Sequence, residues 1–267
     1  MTNDVLNHVI ASISPGSAAH ADAARGQIAH AGLPMLDRIA ARLGRAQQAA
    51  RPRCARRTIA IVAGDTGPRV ALGGAHPTAI TAHAIADGTA AVARLARPTG
   101  TPIVLIDAGV HEAAAMPTSM IQLPEPSLQA GIALVISLAD QGLDVLAVGA
   151  MGLATNAPGD DLRVGPAAVL AGVMLGAASI RVPVILDGLT TVEAALGATK
   201  LAPAAVDYLI ASHRGRAAQP QLLERLGLEP IFDVALGHGD GSGAAMTLPL
   251  LDQLAALVGV PSPDGTS

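Results

Sequence analysis

Apolar positions along the chain fall into two rhythms that alternate. Leu33, Leu36, Ile39, Ala40 and Leu43 recur at helical spacing behind Pro34, a residue suited to a first helical turn, and predict an amphipathic helix to about Gln48. Thr58 to Ala63 is instead an unbroken run rich in β-branched residues that stops at Gly64-Asp65-Thr66-Gly67-Pro68, as a buried parallel strand entering a loop does. The same strand-Asp-Gly pattern returns over Pro102 to Gly109 and Val182 to Gly188. Leu143 to Gly149 is a further strand, running into Gly149-Ala150-Met151-Gly152. Val206 to Ala211 ends at Ser212-His213-Arg214, and Pro230 to Leu236 predicts a sixth strand or extended run.

Helical segments separate the strands. They are expected over Thr78 to Leu95 behind Pro77, Leu128 to Gln141 capped by Ser127, Pro166 to Ala178, Thr191 to Leu201, Gln219 to Leu226, and from Ala244 to Leu257. The stretch before Pro126 reads as a loop. Strand and helix in alternation give the class: α/β, a mainly parallel Rossmann-like sheet flanked by helices, with a small helical N-terminal subdomain. Residues 1–57 are expected to form a helical arm and linker, 58–260 the α/β domain, and 261–267 a disordered tail. The cluster Arg51-Pro-Arg-Cys-Ala-Arg-Arg57 reads as a solvated loop ahead of the first strand.

Composition narrows the function. Hydrophobic residues make up 51% of the chain but aromatics only 1%, so the core is built from Ala, Val, Leu and Ile. Base-stacking platforms are lacking and the net charge is −4, which argues against a nucleic-acid partner. The single cysteine, Cys54, cannot pair within the chain. No apolar run reaches the ~18 residues of a membrane helix, and no leader pattern opens the chain. A soluble cytoplasmic protein without membrane contact is expected.

In open α/β sheets, ligands bind beyond the carboxyl ends of the strands. Four loops should meet there: Gly64 to Gly67, Gly149 to Asn156, Ser212 to Arg216, and Gly237 to Gly243. They carry two carboxylates, Asp65 and Asp240, and the hydroxyls of Thr66, Thr155, Ser212 and Ser242. Asn156 and the imidazoles of His213 and His238 complete the set. The last loop has glycine at 237, 239, 241 and 243 around a lone acid. Asp240 there is either the N-cap of the following helix or a carboxylate set against a small substrate. Glycine N–H groups for a phosphate, hydroxyls for a ribose and a carboxylate for a proton suit a phosphorylated sugar. A dinucleotide fingerprint, a P-loop, zinc-ligand spacing and a nucleophile elbow are all missing from the sequence.

Several segments, in order from about Gly32 to Leu257, resemble the nicotinate-nucleotide:dimethylbenzimidazole phosphoribosyltransferases. They are Val182-Pro-Val-Ile-Leu-Asp-Gly-Leu189, Ala204 to Arg214, Leu222 to Pro230 and Gly239-Asp-Gly-Ser-Gly-Ala244, with support from Pro77 to Arg97 and Leu143 to Met151. The resemblance implies a homodimer, or a heterodimer with a paralogue. It would move the phosphoribosyl group of nicotinate mononucleotide onto 5,6-dimethylbenzimidazole or a related base, for cobalamin synthesis, with inversion and with neither cofactor nor metal. By position, Asp240 would be the general base, within Gly239, Gly241, Ser242 and Gly243. Gly149, Gly152, Thr155 and Asn156 would line the phosphate, with Ser212 and His213 nearby. Asp65-Thr66-Gly67 stands where the family has Asp-His-Gly, and His83 where it has a glutamine facing the base.

The chain departs from the pattern elsewhere. Gly149-Ala150-Met151-Gly152-Leu153-Ala154-Thr155-Asn156-Ala157 replaces Gly-Glu-Met-Gly-Ile-Gly-Asn-Thr-Thr. Gly239-Asp240-Gly241 replaces Gly-Glu-Gly, and the segment before Val182 is shortened. Two readings follow: an enzyme of this type, or a non-catalytic member that binds a nucleotide or base, or serves beside an active paralogue.

Overall fold

A computed structural model describes residues 2–65, 76–111, 115–123, 127–152, 165–237 and 239–259. The expected tail, 261–267, lies outside the described residues. At the centre is a six-stranded sheet. The strands are β1 (Arg57–Ala63), β2 (Ile103–Asp107), β3 (Ile121–Gln122), β4 (Val145–Met151), β5 (Val184–Leu186) and β6 (Leu209–Ala211). Every pairing is parallel, in the order β3-β2-β1-β4-β5-β6. This is the doubly wound order of nucleotide-binding sheets, and it reverses direction between β1 and β4, where a crevice opens beyond the strand ends.

Alternate residues of each strand serve opposite faces. Ala60, Val62, Leu146, Val148, Val184 and Leu186 belong to one core layer. It is closed by α6 (Leu128–Asp140), α7 (Pro166–Ser179), α8 (Gly188–Leu201) and α1 (Thr2–Ser12). Ile59, Ile61, Val145, Ala147, Ile185 and Ile210 belong to the other. It is closed by α3 (Pro34–Gln47), α4 (Pro77–Ala86), α5 (Ala91–Ala96) and α10 (Ser242–Leu257). Helix α7 is apolar on every side and continuously buried from Ala168 to Ala178, as such helices must be. Its Gly172 packs on the backbone of Leu128, so the small-residue composition permits the close α6–α7 contact. The Ser127 side chain accepts from Ala130 N at 3.3 Å and caps α6, as expected.

Other expectations are modified. The helix expected over Thr78 to Leu95 is two helices, because the chain turns at Asp87 and Gly88 (φ +72°). The stretch expected as a loop contains β3. Pro230 to Leu236 forms no strand, and only a parallel bridge joins Phe232 to His213. The N-terminal arm is docked. Besides α1 it contains α2 (Ala18–Gly26) packed on α3. The hydroxyl of buried Tyr208 donates to Ser14 O at 2.8 Å.

The arginine cluster also does more than face solvent. Arg56 donates through its backbone N and its Nη2 to Asp144, each at 2.9 Å. Arg57 lies within β1 and reaches Leu248 O (3.0 Å) and Asp252 (2.7 Å) on α10. The cluster therefore ties the start of β1 to β4 and to the last helix.

Candidate functional site

The carboxyl ends of β1, β4, β5 and β6 meet at one edge, and the glycine loop closes over it. Gly64 N donates to Met151 O at 3.0 Å across the β1–β4 switch point. Ala150 N donates to Gly239 O at 2.6 Å, laying the last loop on the end of β4. A Cβ on Gly149 would run into the Gly241 nitrogen, so only glycine lets the two backbones approach this closely.

The loop is held from below by Asp187, which follows β5 and is fully buried. Its Oδ2 accepts from Gly241 N (2.7 Å) and Gly243 N (3.2 Å), and its Oδ1 is 2.7 Å from His213 Nε2. Asp187 therefore receives two of the free N–H groups at the start of α10, with the one between them, Ser242 N, going to Asp240, at a helix end where negative charge is favoured. Burial raises the Asp187 carboxyl above its ordinary value. The His213 and Gly243 donors oppose that rise, and the nearby Asp240 charge adds to it. His213 Nδ1 is buried with no partner among the described residues. The imidazole proton thus belongs on Nε2, facing Asp187, with a bare lone pair on the dry side.

Asp240 sits above this base, partly buried. It is not the helix N-cap; Gly241 is (φ +94°). One oxygen of Asp240 accepts from Ser242 N at 3.1 Å, a local turn that fixes the carboxylate at the mouth of the edge. The Ser242 hydroxyl is buried without a partner among the described residues. Gly239, Gly241, Ser242, Gly243 and Gly149 all belong to this cluster.

Other expected residues have different surroundings. Asp65 is buried at the end of β1. It accepts from the Thr78 hydroxyl (2.9 Å) and His111 N (2.9 Å), and His76 Nε2 lies 3.3 Å away. Gly152 lies against Gly64 O. Ser212 directs its proton to Leu186 O at 2.6 Å, and His213 is turned inward. His83 is exposed on α4 and bonds to Ala115 O at 3.0 Å. Thr66, Thr155, Asn156 and His238 lie outside the described residues. Asp187 was not among the expected site residues, although it closes one of the strand-Asp-Gly runs. Among the described residues no three of His, Cys, Asp and Glu gather as a metal site would require. No described helix is long and apolar enough to cross a membrane.

The arrangement predicts that Gly149→Ala pushes Asp240 aside. Overpacking of this kind costs about 1–3 kcal/mol, read as a lowered melting temperature. An unchanged melting temperature would contradict the close packing of the loop on β4.

Comparison with known proteins agrees with this architecture. A family model described as phosphoribosyltransferase matches residues 13–160 and 165–259. The nicotinate-nucleotide–dimethylbenzimidazole phosphoribosyltransferase of Roseiflexus sp. is 28% identical over 92% of this chain and 92% of its own. The protein of the same name from Chloroflexus aggregans is 28% identical over 82% of this chain and 83% of its own. The crystal structure of the enzyme of that name from Thermus thermophilus shares the fold. Its TM-score is 0.70 at 21% identity, covering 91% of this chain and 99% of that one. The chain belongs to the phosphoribosyltransferase family whose members include the nicotinate-nucleotide–dimethylbenzimidazole phosphoribosyltransferases.

Proposed function

We propose that the protein transfers the phosphoribosyl group of nicotinate mononucleotide to 5,6-dimethylbenzimidazole or a related base, acting as a cytoplasmic homodimer in cobalamin synthesis. The observation that carries the reading is the placement of Asp240. It is a carboxylate fixed at the mouth of the edge by its own turn, on a loop clamped to β4 and Asp187. One nitrogen of the base attacks the anomeric carbon from the face opposite nicotinate. The carbon–pyridine bond breaks, and its electron pair returns to the ring nitrogen of the leaving nicotinate. Asp240 takes the proton from the other base nitrogen. The chemistry asks the protein chiefly for positioning and a proton acceptor, and the clamped loop supplies both.

Purified protein incubated with nicotinate mononucleotide and dimethylbenzimidazole should release nicotinate and form the ribazole phosphate, both resolved by chromatography. Absence of nicotinate would overturn the reading. Light scattering tests the dimer. A second reading has its own observation: at Ala150, on the end of β4, the acid usual in the family is missing. It makes the protein a non-catalytic nucleotide or base binder, or a subunit beside an active paralogue. Calorimetry showing nucleotide binding without nicotinate release would favour it.

A further inference from the structure

Away from the sheet edge, a cavity of about 380 Å³ lies between the α2–α3 pair and the chain flanking β6. None of its lining residues belongs to the loop carrying Asp240 or to the end of β5. Its floor is apolar, formed by Ile39, Ile210 and Ile231. Four guanidinium groups and three carboxylates line it. The acids are all engaged: Asp22 with Arg25, Glu229 with Arg38, and Asp207 with Arg45. Asp207 also accepts from Gly16 N. Arg42 remains. Among the described residues it makes no ion pair, and one nitrogen, Nη2, donates to Gly227 O at 3.2 Å. Its half-buried position and the neighbouring Arg45 charge lower its basicity, and the charges of Asp207 and Glu229, each paired with another arginine, oppose that fall.

We propose that this cavity binds a small monocarboxylate with a flat apolar body, whose carboxylate engages Arg42 and whose body rests on Ile39, Ile210 and Ile231. The volume is within the range of small-molecule sites, which are mostly apolar with a few placed polar groups. A planar guanidinium with free donors fits a carboxylate through two parallel hydrogen bonds. The single unmatched positive charge selects a monoanion over a dianion, which would have to break one of the three existing pairs.

Benzoate is the probe, with benzylamine as the cationic control. Titration of the intact protein, labelled at isoleucine methyls, should shift Ile39, Ile210 and Ile231 saturably with benzoate and not with benzylamine. Arg42→Gln should weaken benzoate by about tenfold or more, the scale of losing charged hydrogen bonds, and Arg42→Lys by less. Benzoate shifts confined to other isoleucines, or no saturable shift in the wild-type protein, would overturn the proposal, whether or not the variants fold. So would equal benzoate affinity in a folded Arg42→Gln protein.

Discussion

Asp240→Asn is expected to cut nicotinate release by about a hundredfold to ten thousandfold in kcat, the usual contribution of a positioned general base. The KM for nicotinate mononucleotide should stay nearly constant. The amide keeps the size of the carboxylate, and its oxygen can still accept from Ser242 N, the bond that holds the carboxylate at 3.1 Å in the native loop. The loop therefore keeps its course and only the proposed proton acceptor is lost. A loss in kcat without a loss in affinity is what removal of a group acting in the transition state produces. A variant with near-native kcat would dismiss Asp240 as the base, and attention would pass to the histidines near the edge.

Asp187→Ala should be the most damaging substitution for stability. It strips the partner from three buried donors at once: Gly241 N, Gly243 N and His213 Nε2. Leaving a buried donor without its acceptor costs about 1–3 kcal/mol, and three are left here. At about 2–4 °C per kcal/mol for a domain of this size, the melting temperature should fall by roughly 10 °C or more. Asp187→Asn should cost less, because the amide oxygen still accepts and the other imidazole tautomer can meet the amide nitrogen. Calorimetric scans of the two variants test the ordering. An Asp187→Ala protein that melts with the wild type would show that the carboxylate does not hold the loop.

The sheet was legible because a parallel strand buried on both faces leaves a continuous apolar run, as at Thr58 to Ala63. What the sequence concealed has physical reasons. Gly88 lies inside an apolar run at helical spacing, and nothing in that spacing shows that the backbone turns there with φ +72°. The strand β3 spans two residues, too few for a period. Pro230 to Leu236 is apolar apart from Asp233, as a buried strand is, but Ile231 is buried in the core while only Phe232 bridges to His213.

The site divides in the same way. The four-glycine spacing exposed the loop of Asp240, because close approach of backbones has a local signature. Asp187 has none that sets it apart. It ends a strand just as Asp107 does, yet Asp107 accepts from Gly109 N and Val110 N in its own turn. Asp187 accepts from residues 54 and 56 positions later. The same strand-Asp-Gly signature thus serves a local turn in one place and a long-range clamp in another, and only the topology decides which.

The docking of the N-terminal arm on Tyr208 makes the protein its own optical probe. The chain has no tryptophan and one tyrosine, so its ultraviolet emission comes almost wholly from the ring that donates to Ser14 O. Burial raises the Tyr208 phenol above its ordinary value. Release of the arm would therefore change both the emission of that ring and the alkalinity at which it ionises. A single chromophore reports, without labelling, on a contact that joins residues 194 positions apart.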